Sequence, residues 1–167
     1  SLGANSFIAL DSSAAAISPT SIFNNTAPTS SVFTVGEANT TNENGGDHIA
    51  LCWAPVEGYN AFGSYTGNGL NDGPFVYTGF RPRWIMIKAS NFNTDWAIID
   101  TARDTYNATD SVLDANNANA ESTSTNNNVD VLSNGFKLRT PTHPFNAGYT
   151  YIYAAFAENP FKYARAR

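Results

Sequence analysis

The stretch Arg81-Pro82-Arg83-Trp84-Ile85-Met86-Ile87-Lys88, followed across residues 91–95 by Trp96-Ala97-Ile98-Ile99-Asp100, decides the fold class. Both runs are short and rich in branched and aromatic side chains, and polar turn formers separate them. They read as a pair of adjacent β-strands. The unbroken apolar content of Trp84-Ile85-Met86-Ile87 fits a central strand covered on both faces or an edge strand lying on a neighbour. Further along, residues 151–156 alternate so that Ile152, Ala154 and Phe156 share one face. Residues 48–53 alternate likewise, with Ile49, Leu51 and Trp53 on one face and Ala50 and Cys52 on the other.

Sliding the chain against itself by 103 positions aligns these last two runs without a gap. Leu10-Asp11 then falls on Leu113-Asp114, Asn24-Asn25 on Asn127-Asn128, Phe33 on Phe136, Val35 on Leu138, and Gly45 on Gly148. Ile49, Trp53 and Ala54 fall on Ile152, Phe156 and Ala157. The spacing predicts one β domain of two similar halves: a first copy over residues 1–57, a connecting hairpin over 58–80, a second copy over 81–157, and a basic tail over 158–167. The first copy lacks an opening hairpin, because the counterpart of residues 81–100 would precede Ser1. The expectation is a piece of a longer polypeptide, or an edge that something must cover.

The rest of the chain agrees with an all-β reading. Asn, Ser and Thr make up roughly three residues in ten of the 167, and these types favour turns over helix interiors. Apolar residues at helical spacing with caps are missing, so very little helix is expected. Gly67-Asn68-Gly69 and Asn71-Asp72-Gly73-Pro74 carry turn chemistry, and residues 116–128 read as a surface loop with at most one helical turn. Many short strands about ten residues apart predict an antiparallel β-sandwich, jelly-roll-like in outline.

Charge narrows the function. A net charge of −5, with charged residues at 14%, offers no footprint for a phosphate backbone, so no nucleic-acid partner is expected. No apolar run reaches the roughly 20 residues of a membrane-spanning helix, and no membrane insertion is expected. The lone Cys52 cannot close a disulfide within the chain and reads as a small core residue.

Chemistry is scarce. His48 opens a strand-like run and His143 sits between Pro141 and Pro144, with no metal-ligand spacing and no nucleophile elbow. We therefore expect no catalytic residues, no metal and no cofactor. Asp100, Arg103 and Asp104 read as ion pairing at a strand end. Asn68, Asn71 and Asp72 could ligate calcium, but they lack the spacing of a calcium loop and read as turn residues. Trp53, Trp84 and Trp96 read chiefly as core, whereas Tyr59, Tyr65, Tyr77, Tyr106 and Tyr149 are the better candidates for exposed contacts. The residues put forward for ligand binding are Tyr59, Tyr65, Asn68 and Asp72. Lys162, Arg165 and Arg167 make the C-terminus basic, a solvated tail or a dock for an acidic subunit.

Five blocks carry a family resemblance: Gly63-Ser64-Tyr65-Thr66-Gly67-Asn68-Gly69; Gly73-Pro74-Phe75-Val76; Thr78-Gly79-Phe80-Arg81-Pro82-Arg83-Trp84; Ser133-Asn134-Gly135-Phe136-Lys137-Leu138; and Tyr151-Ile152-Tyr153-Ala154-Ala155-Phe156-Ala157-Glu158-Asn159-Pro160-Phe161-Lys162-Tyr163. Together they resemble a domain of tail-fibre-like and other virion-associated proteins of marine bacteriophages, cyanophages among them. The resemblance implies a non-enzymatic structural protein of the virion, in a tail fibre or capsid appendage, serving assembly or host attachment. It implies other virion subunits as partners, and a homo-oligomer. A carbohydrate-binding module recognising a host surface glycan is the alternative, and a polysaccharide depolymerase, which would need two facing carboxylates, a more distant one.

Overall fold

The computed structural model describes residues 2–160. Nine strands among these residues form two antiparallel sheets: β1 (Asn60–Thr66), β2 (Phe75–Tyr77), β3 (Pro82–Ala89), β4 (Ala97–Asp100), β5 (Ser111–Asp114), β6 (Ser122–Thr123), β7 (Val129–Leu132), β8 (Gly135–Leu138) and β9 (Thr150–Ala157). One sheet has the order β1-β9-β3-β4-β5-β6 and the other β2-β8-β7. Among the described residues helix is confined to α1 (Thr20–Phe23), α2 (Asn39–Asn42) and a 3-10 turn at Thr125–Asn127. The chain is an all-β sandwich.

The strand pair read from residues 81–100 forms as expected. Trp84 faces Asp100 and Ile87 faces Ala97 across β3 and β4, and β9 flanks β3 on its other side. β3 is therefore central, but its two faces differ. Ile85, Ile87 and Ala89 are fully buried against the smaller sheet, while Trp84 and Met86 on the opposite face are half-exposed. The core between the sheets joins Ile85, Ile87, Ile99, Val112, Tyr151 and Ala155 from one side to Val76, Val129, Val131, Phe136 and Leu138 from the other. Ring contacts cross it, with Tyr65 edge-on to Phe136 at 6.1 Å and Phe136 to Tyr153 at 5.6 Å.

Four expectations are corrected. First, residues 48–53 form no strand: Ile49, Leu51 and Trp53 are 91%, 71% and 60% exposed, and Cys52 is exposed rather than core. The repeat of apolar positions is thus not a repeat of strands. β9 is a strand because β1 and β3 bond to both its edges, whereas residues 48–53 have no neighbouring strand among the described residues, and an isolated strand is not stable in water. Second, the core face of β9 is the opposite one to that suggested by Ile152, Ala154 and Phe156. Tyr151 and Ala155 point inward, since an aromatic face can be the outer one when another segment lies over part of it. Third, residues 58–80 are no hairpin: β1 bonds to β9 and β2 to β8, so the connection passes from one sheet to the other. Fourth, Trp53 is a surface residue, while Trp96 at 8% exposure is buried as expected.

The segment over part of the outer face is N-terminal. Phe7 and Ile17 bridge each other, and the stretch between them is tied at four points to β3 and to the connection between β3 and β4. Trp96 Nε1 donates to the Ala9 carbonyl at 2.9 Å and Lys88 Nζ to that of Ser13 at 2.9 Å. The Ala15 amide donates to Asn93 Oδ1 at 2.9 Å and the Ala16 amide to the Ser90 carbonyl at 2.8 Å. Lys88 has no solvent exposure; its second bond, to the Thr94 carbonyl at 2.6 Å, satisfies a buried ammonium. Desolvation holds its pKa below the ordinary lysine range, partly offset by the charge of Asp95.

The ion pairing expected beyond β4 is present. Asp100 faces Arg83 at 3.7 Å and Arg103 at 3.9 Å, and Arg103 also pairs with Glu121. Asp104 accepts from the Asp110 amide at 2.7 Å, which fixes the approach to β5. The basic tail reading falls largely on residues 161–167, outside the described residues.

Candidate functional site

Three connections meet at one end of the sandwich: residues 67–74 after β1, 90–96 after β3, and 139–149 after β8. Asn146, fully buried, organises them. Its Oδ1 accepts from the Asn68 amide at 2.9 Å, and its Nδ2 faces Asn68 Oδ1 at 2.9 Å and the carbonyls of Leu70 and Thr140, each at 2.8 Å. An amide side chain suits this task because it donates and accepts from one planar group. The Gly67 amide adds a bond to the Tyr149 carbonyl at 2.9 Å, and the Gly69 amide one to the Asn146 carbonyl at 2.8 Å. Any side chain at Gly67 would collide with the Ala147 carbonyl, 2.1 Å from where its Cβ would stand. Asn91 Oδ1, accepting from the Thr150 amide at 3.0 Å, ties in the third connection.

On this frame lies an aromatic cluster. Phe92 stacks on Tyr149 with centroids 4.2 Å apart and on His143 at 5.0 Å; His143 and Tyr149 are 5.3 Å apart, all within 18° of parallel. Phe92 is 39% exposed and His143 is exposed, so rings and neighbouring amides are presented together to solvent. Such a surface suits a ligand with both apolar faces and hydroxyls. Beside it Asp72 pairs with Lys137 at 2.9 Å and Arg139 at 3.5 Å, and Arg139 Nε bonds Asp130 at 2.6 Å. The Lys137 hydrogen bond and charge hold the Asp72 carboxyl below its ordinary pKa.

The four residues put forward from the sequence do not form one site. Asn68 and Asp72 belong to this loop end. Tyr65 turns inward: its hydroxyl donates to the Phe145 carbonyl at 2.8 Å, its ring stacks on Tyr151 at 5.1 Å, and burial raises its pKa well above the ordinary tyrosine value. It is a core residue, because inward positions of β1 alternate through Ala61, Gly63 and Tyr65. Tyr59 sits at the other end of β1, edge-on to Phe156 at 6.2 Å. Tyr77 and Tyr106 are 67% and 83% exposed but lie apart from the aromatic cluster. Phe92 was missed; its one signal is an aromatic alone between Asn91 and Asn93 in a turn.

Among the described residues no group of three or more His, Cys, Asp or Glu side chains is placed to hold a metal ion, and no helix is long and apolar enough to cross a membrane. Residues 1–160 match the family described as a domain of unknown function (DUF7483). Neither a curated protein nor a solved structure matches the chain.

Proposed function

The chain belongs to the DUF7483 family, and from its geometry we propose that it is a non-enzymatic attachment domain of a phage virion appendage, its loop end binding a host surface glycan. The virion setting rests on the sequence blocks that resemble marine-phage fibre proteins. The observation that carries glycan binding is the Phe92–Tyr149–His143 stack, held by the Asn146 network beside Asn68 and Asn91. Sugar rings present apolar C–H faces to aromatics and hydroxyls to amides, which is the pairing of groups found here. A surface of neutral donors and acceptors also keeps its affinity in salt better than one built on ion pairs. The non-enzymatic reading is favoured by how the acids are used: Asp72, Asp100 and Asp130 are in ion pairs, and Asp104 caps backbone amides.

Screening the purified protein on a glycan array tests the reading. Binding to at least one surface polysaccharide is expected, and Phe92→Ala should weaken it about tenfold, equivalent to about 1.4 kcal/mol, while the folded spectrum is retained. Binding that is indifferent to Phe92, or hydrolysis of the bound polysaccharide, would overturn it.

A further inference from the structure

Residues 48–53 pose a physical problem. His48-Ile49-Ala50-Leu51-Cys52-Trp53 has strand alternation, yet Ile49, Leu51 and Trp53 stand 91%, 71% and 60% in solvent. Val56, at 42%, extends the patch. A contiguous apolar segment of this kind marks a surface that another element covers.

The molecule also carries an acceptor. β1 ends the order of the larger sheet, and β9 is its one strand neighbour among the described residues. An edge strand with one unpaired side is a template for a further strand. Phe62, 37% exposed, stands on the outer face of β1 beside Phe156 at 6.0 Å. That face continues into an apolar concavity of about 350 Å³ lined by Phe62, Met86, Trp96, Ile152 and Ala154.

The character of the strand that β1 accepts is visible in the molecule itself. On its paired side β1 takes β9, and residues 49, 53 and 54 match Ile152, Phe156 and Ala157 of β9 in type and spacing. The chain thus holds a second, unpaired segment patterned like the strand that β1 already binds. Its own β1 does not take it up. The turn at Val56, where the Tyr59 and Asn60 amides donate to the Val56 carbonyl and Asn60 Oδ1 accepts from the Val56 amide at 2.6 Å, leaves residues 48–53 unpaired.

We propose that residues 48–53 of one copy add as a strand to the free edge of β1 in a second copy, with residues 54–59 as the hinge. Ile49, Leu51 and Trp53 then extend the apolar outer face beyond Phe62. Main-chain bonding supplies affinity and the alternating side chains supply register, as in strand addition generally. Donor and acceptor lie on either side of one short hinge, so the exchange is reciprocal and closes as a two-fold dimer. Counting both segments and the surfaces they cover, the exchange hides more than ~1,000 Å², the scale at which specific interfaces begin. This inference is independent of what the loop end binds.

Sedimentation velocity over the micromolar range, paired with amide hydrogen exchange, tests it. The wild-type protein is expected to be dimeric, and Ile49→Asp with Leu51→Asp should return it to a monomer. Both positions are solvent-exposed in the single chain, so an unchanged circular dichroism spectrum is expected and confirms folding. Exchange at the β1 amides should be at least tenfold slower in the wild-type dimer than in the double variant. A wild-type protein that stays monomeric at high micromolar concentration would overturn the proposal, as would a dimer that survives the double substitution or one whose β1 amides exchange alike in both proteins. A wild-type protein that stays monomeric at high micromolar concentration yet binds glycan would sink this inference and leave the attachment reading standing.

Discussion

Asn146 shows how much one side chain can hold. Its amide bonds two connections together from a fully buried position, so truncation leaves several backbone and side-chain groups without partners. Asn146→Ala is expected to cost about 2–4 kcal/mol, read as a lower urea midpoint. It should also loosen the loop end enough to weaken glycan binding with every aromatic still present. The core tyrosines give a second prediction. Burial pushes the Tyr151 phenol up to about 12 and raises that of Tyr65 well above the ordinary value of 10.0. Both then hold their protons in the folded state after an unfolded chain has lost them. Their contribution is complete below about pH 10 and is lost as pH rises towards 12. Phenolate absorbance should therefore show a late step coincident with loss of the near-ultraviolet circular dichroism; free titration of all eight tyrosines near pH 10 in a folded protein would contradict this. None of this was legible from the sequence. Asn146 is one of many Asn in polar loops, and Tyr65 looked exposed because its turn does.

At the level of elements, a strand is defined by its neighbours as much as by its own alternation. β9 and residues 48–53 have similar patterns, yet the first is hydrogen-bonded to a strand on each side and the second is exposed. The 81–100 pair could be read correctly because a local hairpin needs only its own two runs and the turn between them. The sheet changes at β1 and β2 depend on partners 58 to 96 residues away, which local pattern does not report. The asymmetry of β3 can be measured. Ile87→Ala removes a fully buried side chain and should cost about 2–5 kcal/mol, whereas Met86→Ala on the half-exposed face should cost under about 1.5 kcal/mol. Equal costs in chemical denaturation would mean that both faces of β3 are core.

Over the whole molecule, the N-terminal segment and the sandwich behave as one unit through Lys88. Replacing a buried ammonium by an apolar chain of similar length removes its desolvation cost, but also the bond to the Ser13 carbonyl that pins the segment. Lys88→Met should leave the core protected and speed hydrogen exchange at the Ala15 and Ala16 amides about tenfold or more. Unchanged exchange there would show that Trp96, Asn93 and Ser90 hold the segment without Lys88. The sequence by itself determined that this is an antiparallel all-β chain with two adjacent strands within residues 81–100, and that Asn68 and Asp72 belong to turns. Those follow from periodicity and turn chemistry, which act over a few residues. Only the tertiary structure decided which face of each strand is core, which runs find partners, and that Phe92, His143 and Tyr149 meet across two connections more than 40 residues apart. Burial and pairing are properties of neighbours brought from elsewhere in the chain, and a pattern read along one segment does not contain them.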